Sequence, residues 1–217
     1  MLNLAFRNSN PPLRLLCLGA HSDDLEIGCG GTILRLLAEK RDCHVRWIVF
    51  SATAVRKKEA LRSAGFFLRR ARQRGVIVRN YRDGFFPNAY QRIKEDFERL
   101  KNFSPDLILT HYRHDLHQDH RVICELTWNT FRNHLILEYE IPKYDGDLGT
   151  PNFFVPLNEG ICKRKIEYLL SCFKSQAVKP WFSADLFRGL MRVRGLEANS
   201  PGKFAEAFYS RKLILDA

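Results

Sequence analysis

Short apolar runs and amphipathic runs alternate along the first two-thirds of the chain. Leu13–Leu18 is a compact apolar run and predicts a first strand. Gly28–Gly31 reads as a glycine-rich loop, and Thr32–Lys40 follows with helical spacing. His44–Phe50 predicts a second strand and Lys57–Gln73 a helix. Val76–Val78 is a short third strand, and Gln91–Lys101 is a helix with its charges on one side. Asp106–Thr110 is a fourth strand introduced by Pro105, and Asp119–Asn133 is another helix. Strands alternating with helices of this length predict right-handed βαβ units. The expected fold is α/β and Rossmann-like, a mostly parallel sheet with helices on both faces. In such a sheet ligands bind outside the carboxyl ends of the strands.

The last third changes character. Leu135–Ile141 and Asn152–Leu157 read as strands and Lys163–Phe173 as a helix, with a loop at Lys143–Pro151 between the strands. This region is read as an extension of one domain covering residues 1–217, whose polar, proline-containing start, residues 1–12, is expected to be loosely ordered. With 217 residues, 45% hydrophobic and 27% charged, the composition is that of an ordinary globular domain. No apolar run reaches bilayer length and no signal peptide is recognised, so the expected compartment is the cytoplasm. Six cysteines are present without a Cys-x-x-Cys pair, which argues against a cysteine zinc module and for free buried thiols. No heptad repeat is present, and a homo-oligomer stays open.

The net charge of +11 invites a nucleic-acid reading. Its densest stretch, Arg69-Arg70-Ala71-Arg72-Gln73-Arg74, is expected at a helix end, where cations suit the dipole. No aromatic residues interleave with it, so it offers no stacking platform for single strands and nucleic acid is disfavoured. An acidic small ligand would use the same field.

The chemistry concentrates in two clusters placed just after strands one and four. The first is Ala20-His21-Ser22-Asp23-Asp24. The second, His111 to His120, holds four of the seven histidines, together with Asp115 and Asp119. Buried carboxylates and imidazoles in such density repel one another and lose hydration unless a cation compensates them. Catalytic zinc takes three ligands from His and carboxylate and keeps a fourth position open, so zinc suits this set, although another divalent ion is not excluded by it. Taken singly, His21 is equally a strand-end histidine and Asp23-Asp24 a helix cap. His111 is a pocket or a structural histidine, and His114 and Asp115 are loop-positioning residues. Gly28, Gly30 and Gly31 miss the dinucleotide spacing, and no nucleophile elbow is present.

The run Ala20-His21-Ser22-Asp23-Asp24-Leu25-Glu26-Ile27-Gly28-Cys29-Gly30-Gly31-Thr32 resembles the Ala-His-Pro-Asp-Asp motif of the PIG-L/LmbE-like deacetylases. Leu116-His117-Gln118-Asp119-His120-Arg121 resembles their His-x-Asp-His motif. Arg56 and Glu59 match a weaker Arg-x-x-Glu pattern, and Ala205-Glu206-Ala207-Phe208, with Arg194-Gly195 upstream, a late Ala-Glu-x-Phe segment. Ser22 stands in place of the usual proline and Leu25 in place of a frequent glutamate. The resemblance implies a Rossmann-like fold and a zinc-dependent removal of acetyl from an N-acetylated amino sugar. It implies His21, Asp24 and His120 as metal ligands and Asp23 as general base. It places His117 at the oxyanion and Asp119 in support of a histidine, while Arg56 is equally a contact to a substrate hydroxyl or phosphate or half of a solvated pair with Glu59. Two other readings remain beside it: a metal-free protein binding an acidic ligand such as nucleic acid, and a zinc amidase acting on a non-sugar amide.

Overall fold

The computed structural model describes residues 12–40 and 42–214. The segment expected to be loosely ordered therefore lies outside the described residues up to position 11. Seven strands form one sheet: β1 (Leu13–Gly19), β2 (Cys43–Val49), β3 (Gln73–Val78), β4 (Leu107–His111), β5 (Leu135–Tyr139), β6 (Phe153–Leu157) and β7 (Phe204–Tyr209). Their order is β3-β2-β1-β4-β5-β7-β6. The first five are mutually parallel, and β7 runs antiparallel to both β5 and β6. The α/β, Rossmann-like, mostly parallel sheet expected from the sequence is the architecture observed.

β1 shows why both faces are covered. Leu15 and Cys17 point into one apolar core, shared with α1 (Asp24–Glu39), α2 (Ala54–Phe67) and α5 (Glu159–Cys172). Leu16 and Leu18 point into the other, shared with α3 (Tyr90–Leu100) and α4 (Gln118–Thr130). Period-two alternation on a strand buried on both sides gives the unbroken apolar run seen in the sequence. The chain leaves β1 toward β2 and β3, then returns to β4 on the other side. The β1/β4 boundary is thus the switch point at which such sheets open a crevice.

Three local expectations are corrected. Residues Gly28–Gly31 are not a loop but lie inside α1. A Cβ at Gly28 would come within 2.2 Å of the Tyr139 ring, and one at Gly31 within 2.6 Å of Leu157. These glycines serve close packing rather than a turn. The helix expected over Lys57–Gln73 ends at Phe67, and β3 takes Gln73 into register with His44. The arginines beyond it therefore do not end a helix. Arg72 and Arg74 stand at the exposed start of an edge strand, where charge discourages strand addition. Finally, α6 (Ala184–Glu197) and β7 lie beyond the elements expected from the sequence, although α6 is amphipathic and β7 completes the sheet.

Candidate functional site

Both polar clusters emerge at the switch point. β1 ends at Gly19, and α1 begins at Asp24 with Asp23 as its N-terminal flank. The turn between them brings His21, Asp23 and Asp24 into one place, with the His21 N–H donating to Asp24 Oδ2 at 2.6 Å. β4 ends at His111, and α4 begins at Gln118 with His117 as its cap. His21, Asp23, Asp24, Asp119 and His120 are all buried, at 9% exposure or less.

Each histidine is oriented from its far nitrogen. His120 Nδ1 is 2.8 Å from Asp115 Oδ2, which places its proton on Nδ1 and leaves the Nε2 lone pair free. His21 Nε2 lies 3.2 Å from Asp119 Oδ2 and 3.0 Å from Asp83 Oδ1, which turns its Nδ1 toward His120 Nε2. The two inner nitrogens converge on Asp24 Oδ2. His21 Nδ1 to His120 Nε2 is 3.2 Å, His21 Nδ1 to Asp24 Oδ2 is 3.4 Å, and His120 Nε2 to Asp24 Oδ2 is 3.6 Å. Ligands about 2.0–2.1 Å from a tetrahedral zinc are spaced about 3.3–3.4 Å from one another. The triangle therefore has the size of one face of a zinc tetrahedron, and carboxylates on the outer nitrogens are the usual support of metal-bound histidines. His21, His117 and His120 also form a cluster of metal-ligating type, as do Asp24, His111 and His120.

The electrostatics follow from this crowding. Burial opposes charge on His21, but Asp24, Asp119 and Asp83 outweigh it and hold the ring well above its ordinary pKa. Burial together with neighbouring His111 pushes His120 down to about 3. Asp24 is held well below the carboxylate range, because His120, His111 and His21 overcome its burial. Asp23 goes the other way: burial raises it, and Arg56 only partly offsets this. Its Oδ1 accepts from Arg56 Nη2 at 2.5 Å, while its buried Oδ2 has no partner among the described residues.

His117 Nδ1 accepts the Asp119 N–H at 3.2 Å, so the ring proton belongs on Nε2, the other nitrogen. Burial and nearby His21 lower its pKa, which keeps it a neutral donor. Arg56, placed by the Thr53 cap of α2, comes to the site through Asp23. Asp119 touches His21 and also accepts the backbone N–H groups of Gly84 and Phe86, at 2.7 and 3.0 Å.

Other sequence candidates stand elsewhere. Glu59 accepts from Ser175, holding the turn at Lys174–Gln176. Glu206 accepts the N–H groups of Gly31 and Thr32 and pairs with Lys165 at 2.7 Å. Arg194 binds Glu140, Glu197 and the Gly149 carbonyl. Leu25 is core, and Glu26 is buried, with burial outweighing the nearby Ser63 hydroxyl and raising its pKa toward the neutral acid. His111 Nε2 accepts the Ala20 N–H at 2.9 Å and lies 3.2 Å from Asp24 Oδ2, with its ring stacked on that of His120.

Two carboxylates are more central than the sequence suggested. Asp115 orients His120 directly. Asp83, exposed on the loop after β3, reaches His21, and contact with His21 lowers it to about 2. The only sequence signal for Asp83 was position, a polar residue just beyond the carboxyl end of a strand. Of the aromatic residues able to stack on a sugar, Phe86 and Tyr139 are core, whereas Phe85 is exposed beside Asp83 with Arg82 over its ring at 3.7 Å.

Residues 16–131 match the PIG-L family model, described as GlcNAc-PI de-N-acetylase. Similar solved structures include the conserved protein TT1542 from Thermus thermophilus, at 20% identity and TM-score 0.73, covering 94% of this chain and 97% of the other. The N,N'-diacetylchitobiose deacetylase of Pyrococcus horikoshii, complexed with its inhibitor MPG, matches at 20% identity and TM-score 0.70, over 91% and 83%. GalB, the 4-carboxy-2-hydroxymuconate hydratase of Pseudomonas putida, matches at 16% identity and TM-score 0.71, over 94% and 98%. At these identities the likeness is one of fold, and the fold alone does not select the reaction.

Proposed function

The chain belongs to the PIG-L family of GlcNAc-PI de-N-acetylases, and from that premise we propose that it hydrolyses the acetamide of an N-acetylated amino sugar, giving the free amine and acetate. The observation that carries this reading is the triangle of His21 Nδ1, Asp24 Oδ2 and His120 Nε2 beside the unpartnered Asp23 Oδ2.

His21, Asp24 and His120 would hold a divalent metal, zinc first, since two imidazoles and one carboxylate at tetrahedral spacing are a zinc donor set. Bound there, zinc would lower the pKa of water and polarise the amide carbonyl. The protein's own residues do the rest. Asp23 Oδ2 accepts the proton of the attacking water and later delivers it to the amide nitrogen, because an amine leaves only when protonated. Burial raises its pKa, which suits it to hold the proton between the two halves of that transfer, and Arg56 favours the ionised form that begins it. His117 donates from Nε2 to the oxygen that gains charge, an interaction worth about 3–4 kcal/mol in comparable hydrolases. Asp83, Phe85 and Arg56 at the rim supply a carboxylate, a ring face and a guanidinium, the groups that recognise sugar hydroxyls and a pyranose face.

Among the described residues no helix is long and apolar enough to cross a membrane. The substrate enters the proposal as an N-acetylglucosamine-type conjugate, glycan or nucleotide sugar.

The deciding experiment measures metal content on purified wild type and His120→Ala, with acetate release from an N-acetylglucosamine derivative on the same samples. About one zinc per chain, lost with activity in the variant, is the expected result. Zinc without acetate from any acetylated sugar would move the proposal to another amide, or to addition of water across a carbon–carbon double bond. Neither zinc nor acetate, after zinc reconstitution, would favour an acidic-ligand binding protein.

A further inference from the structure

A lysine reaches the proposed metal site through a carboxylate. Lys143 follows β5 on the loop that leads to β6, and its side chain is 12% exposed. Its Nζ lies 3.0 Å from Asp115 Oδ2 and also pairs with Asp147 Oδ2. That same Asp115 oxygen takes the Nδ1 proton of His120 at 2.8 Å, while Oδ1 takes the His117 N–H, also at 2.8 Å. Asp147 in turn accepts the Leu116 N–H at 2.7 Å. The two carboxylates are 2% and 6% exposed, so water screens these charges poorly.

We propose that Lys143 is a positioning residue that tunes the proposed metal site through Asp115, drawing charge from the oxygen that polarises His120 and so limiting how tightly the site holds its metal. The inference rests on His120 being a metal ligand. The physical case is competition for one oxygen. A carboxylate bound only to the imidazole makes His120 a stronger donor. Sharing that oxygen with an ammonium weakens the donor, and the cation itself adds a like charge near a dication. A purely mechanical strap makes the opposite prediction, since cutting it would release the loop that leads through His117 into the start of α4.

The test is zinc affinity of the metal-stripped full chain, measured by competition with a chromophoric chelator. Lys143→Met is expected to bind zinc on the order of 3–10-fold more tightly. Lys143→Arg, which keeps the charge, should stay within about twofold of wild type. Asp147→Asn, which leaves the lysine entirely to Asp115, should bind more weakly. In zinc-loaded Lys143→Met the His120 Nδ1 proton resonance should move downfield, as its hydrogen bond to Asp115 strengthens. An Asp115→Asn background should abolish the effect of Lys143→Met. Weaker or unchanged zinc binding in Lys143→Met overturns this inference alone. Failure of the unaltered chain to bind zinc overturns the metal reading and this inference with it. If Lys143→Met does not fold, tighter or equal binding by Asp147→Asn overturns it.

Discussion

Asp119 joins His21 to the loop after β3: one of its oxygens lies 3.2 Å from His21 Nε2 and also takes the Gly84 N–H, and the other takes the Phe86 N–H. One buried carboxylate thus fixes the orientation of a proposed metal ligand and the position of the segment bearing Asp83. Asp119→Ala should lower zinc affinity about 10–100-fold, the usual effect of removing such a support. Asp83, 3.0 Å from the same nitrogen, is the remaining acceptor. The double variant Asp83→Ala/Asp119→Ala should therefore lose more affinity than Asp119→Ala alone. Equal losses in the single and double variants would remove Asp83 from the support of His21.

Asp23 and Arg56 give a prediction that separates chemistry from metal binding. Asp23→Asn should retain zinc and lose about 10²–10⁴-fold in turnover, the range for a missing general base. Arg56→Met acts through pH. Burial raises the Asp23 pKa and Arg56 lowers it, so removing the guanidinium raises it further. Asp23 must be ionised to accept a proton, so the acid limb of kcat/KM should move to higher pH. The loss is largest on the acid side and shrinks as pH rises. An acid limb that stays in place while KM alone increases would confine Arg56 to substrate binding.

Zinc binding should release protons. In the metal-free protein the carboxylates around His21 outweigh its burial and favour the protonated ring. A ligand nitrogen must shed that proton. His120, lowered to about 3, is already neutral, and Asp24 is already ionised. Calorimetry in buffers of different ionisation enthalpy should find about one proton released per zinc near neutrality, with affinity rising as pH rises toward the His21 pKa. A count near zero would mean that His21 enters the site unprotonated.

Much of this site was legible because its residues are local in sequence. His21, Asp23 and Asp24 share one turn, His117, Asp119 and His120 share one helix start, and the alternation of strands and helices puts both at the same edge. What stayed hidden depends on contacts that no spacing reports. Asp83 and Lys143 reach the site from loops after β3 and β5, and nothing in their own segments marks them. Gly28–Gly31 looked like a turn because glycine permits one, whereas the Tyr139 ring and Leu157 require its missing side chain inside a helix. β7 stayed hidden for a related reason. It is Phe-Ala-Glu-Ala-Phe-Tyr, whose alanines and central glutamate dilute any strand signal, and its place is set by pairing with β5 and β6 on either side.

The late Ala-Glu-x-Phe segment illustrates how a sequence motif can belong to the fold instead of the chemistry. Glu206 is 4% exposed, its carboxylate caps the Gly31 and Thr32 N–H groups from outside α1, and it pairs with Lys165, itself 2% exposed. Lys165 also donates to the Ile27 carbonyl at 2.6 Å. Removing the carboxylate leaves a buried ammonium without its counter-charge, a defect that costs about 3–5 kcal/mol. Glu206→Ala should therefore lower the stability of the chain by that amount in urea unfolding, while zinc stoichiometry and turnover per folded molecule stay near wild type. Glu206→Ala/Lys165→Met, which removes both charges, should recover part of the loss, because no ion is then left unpaired. A Glu206→Ala protein of normal stability but without turnover would place Glu206 in the chemistry after all.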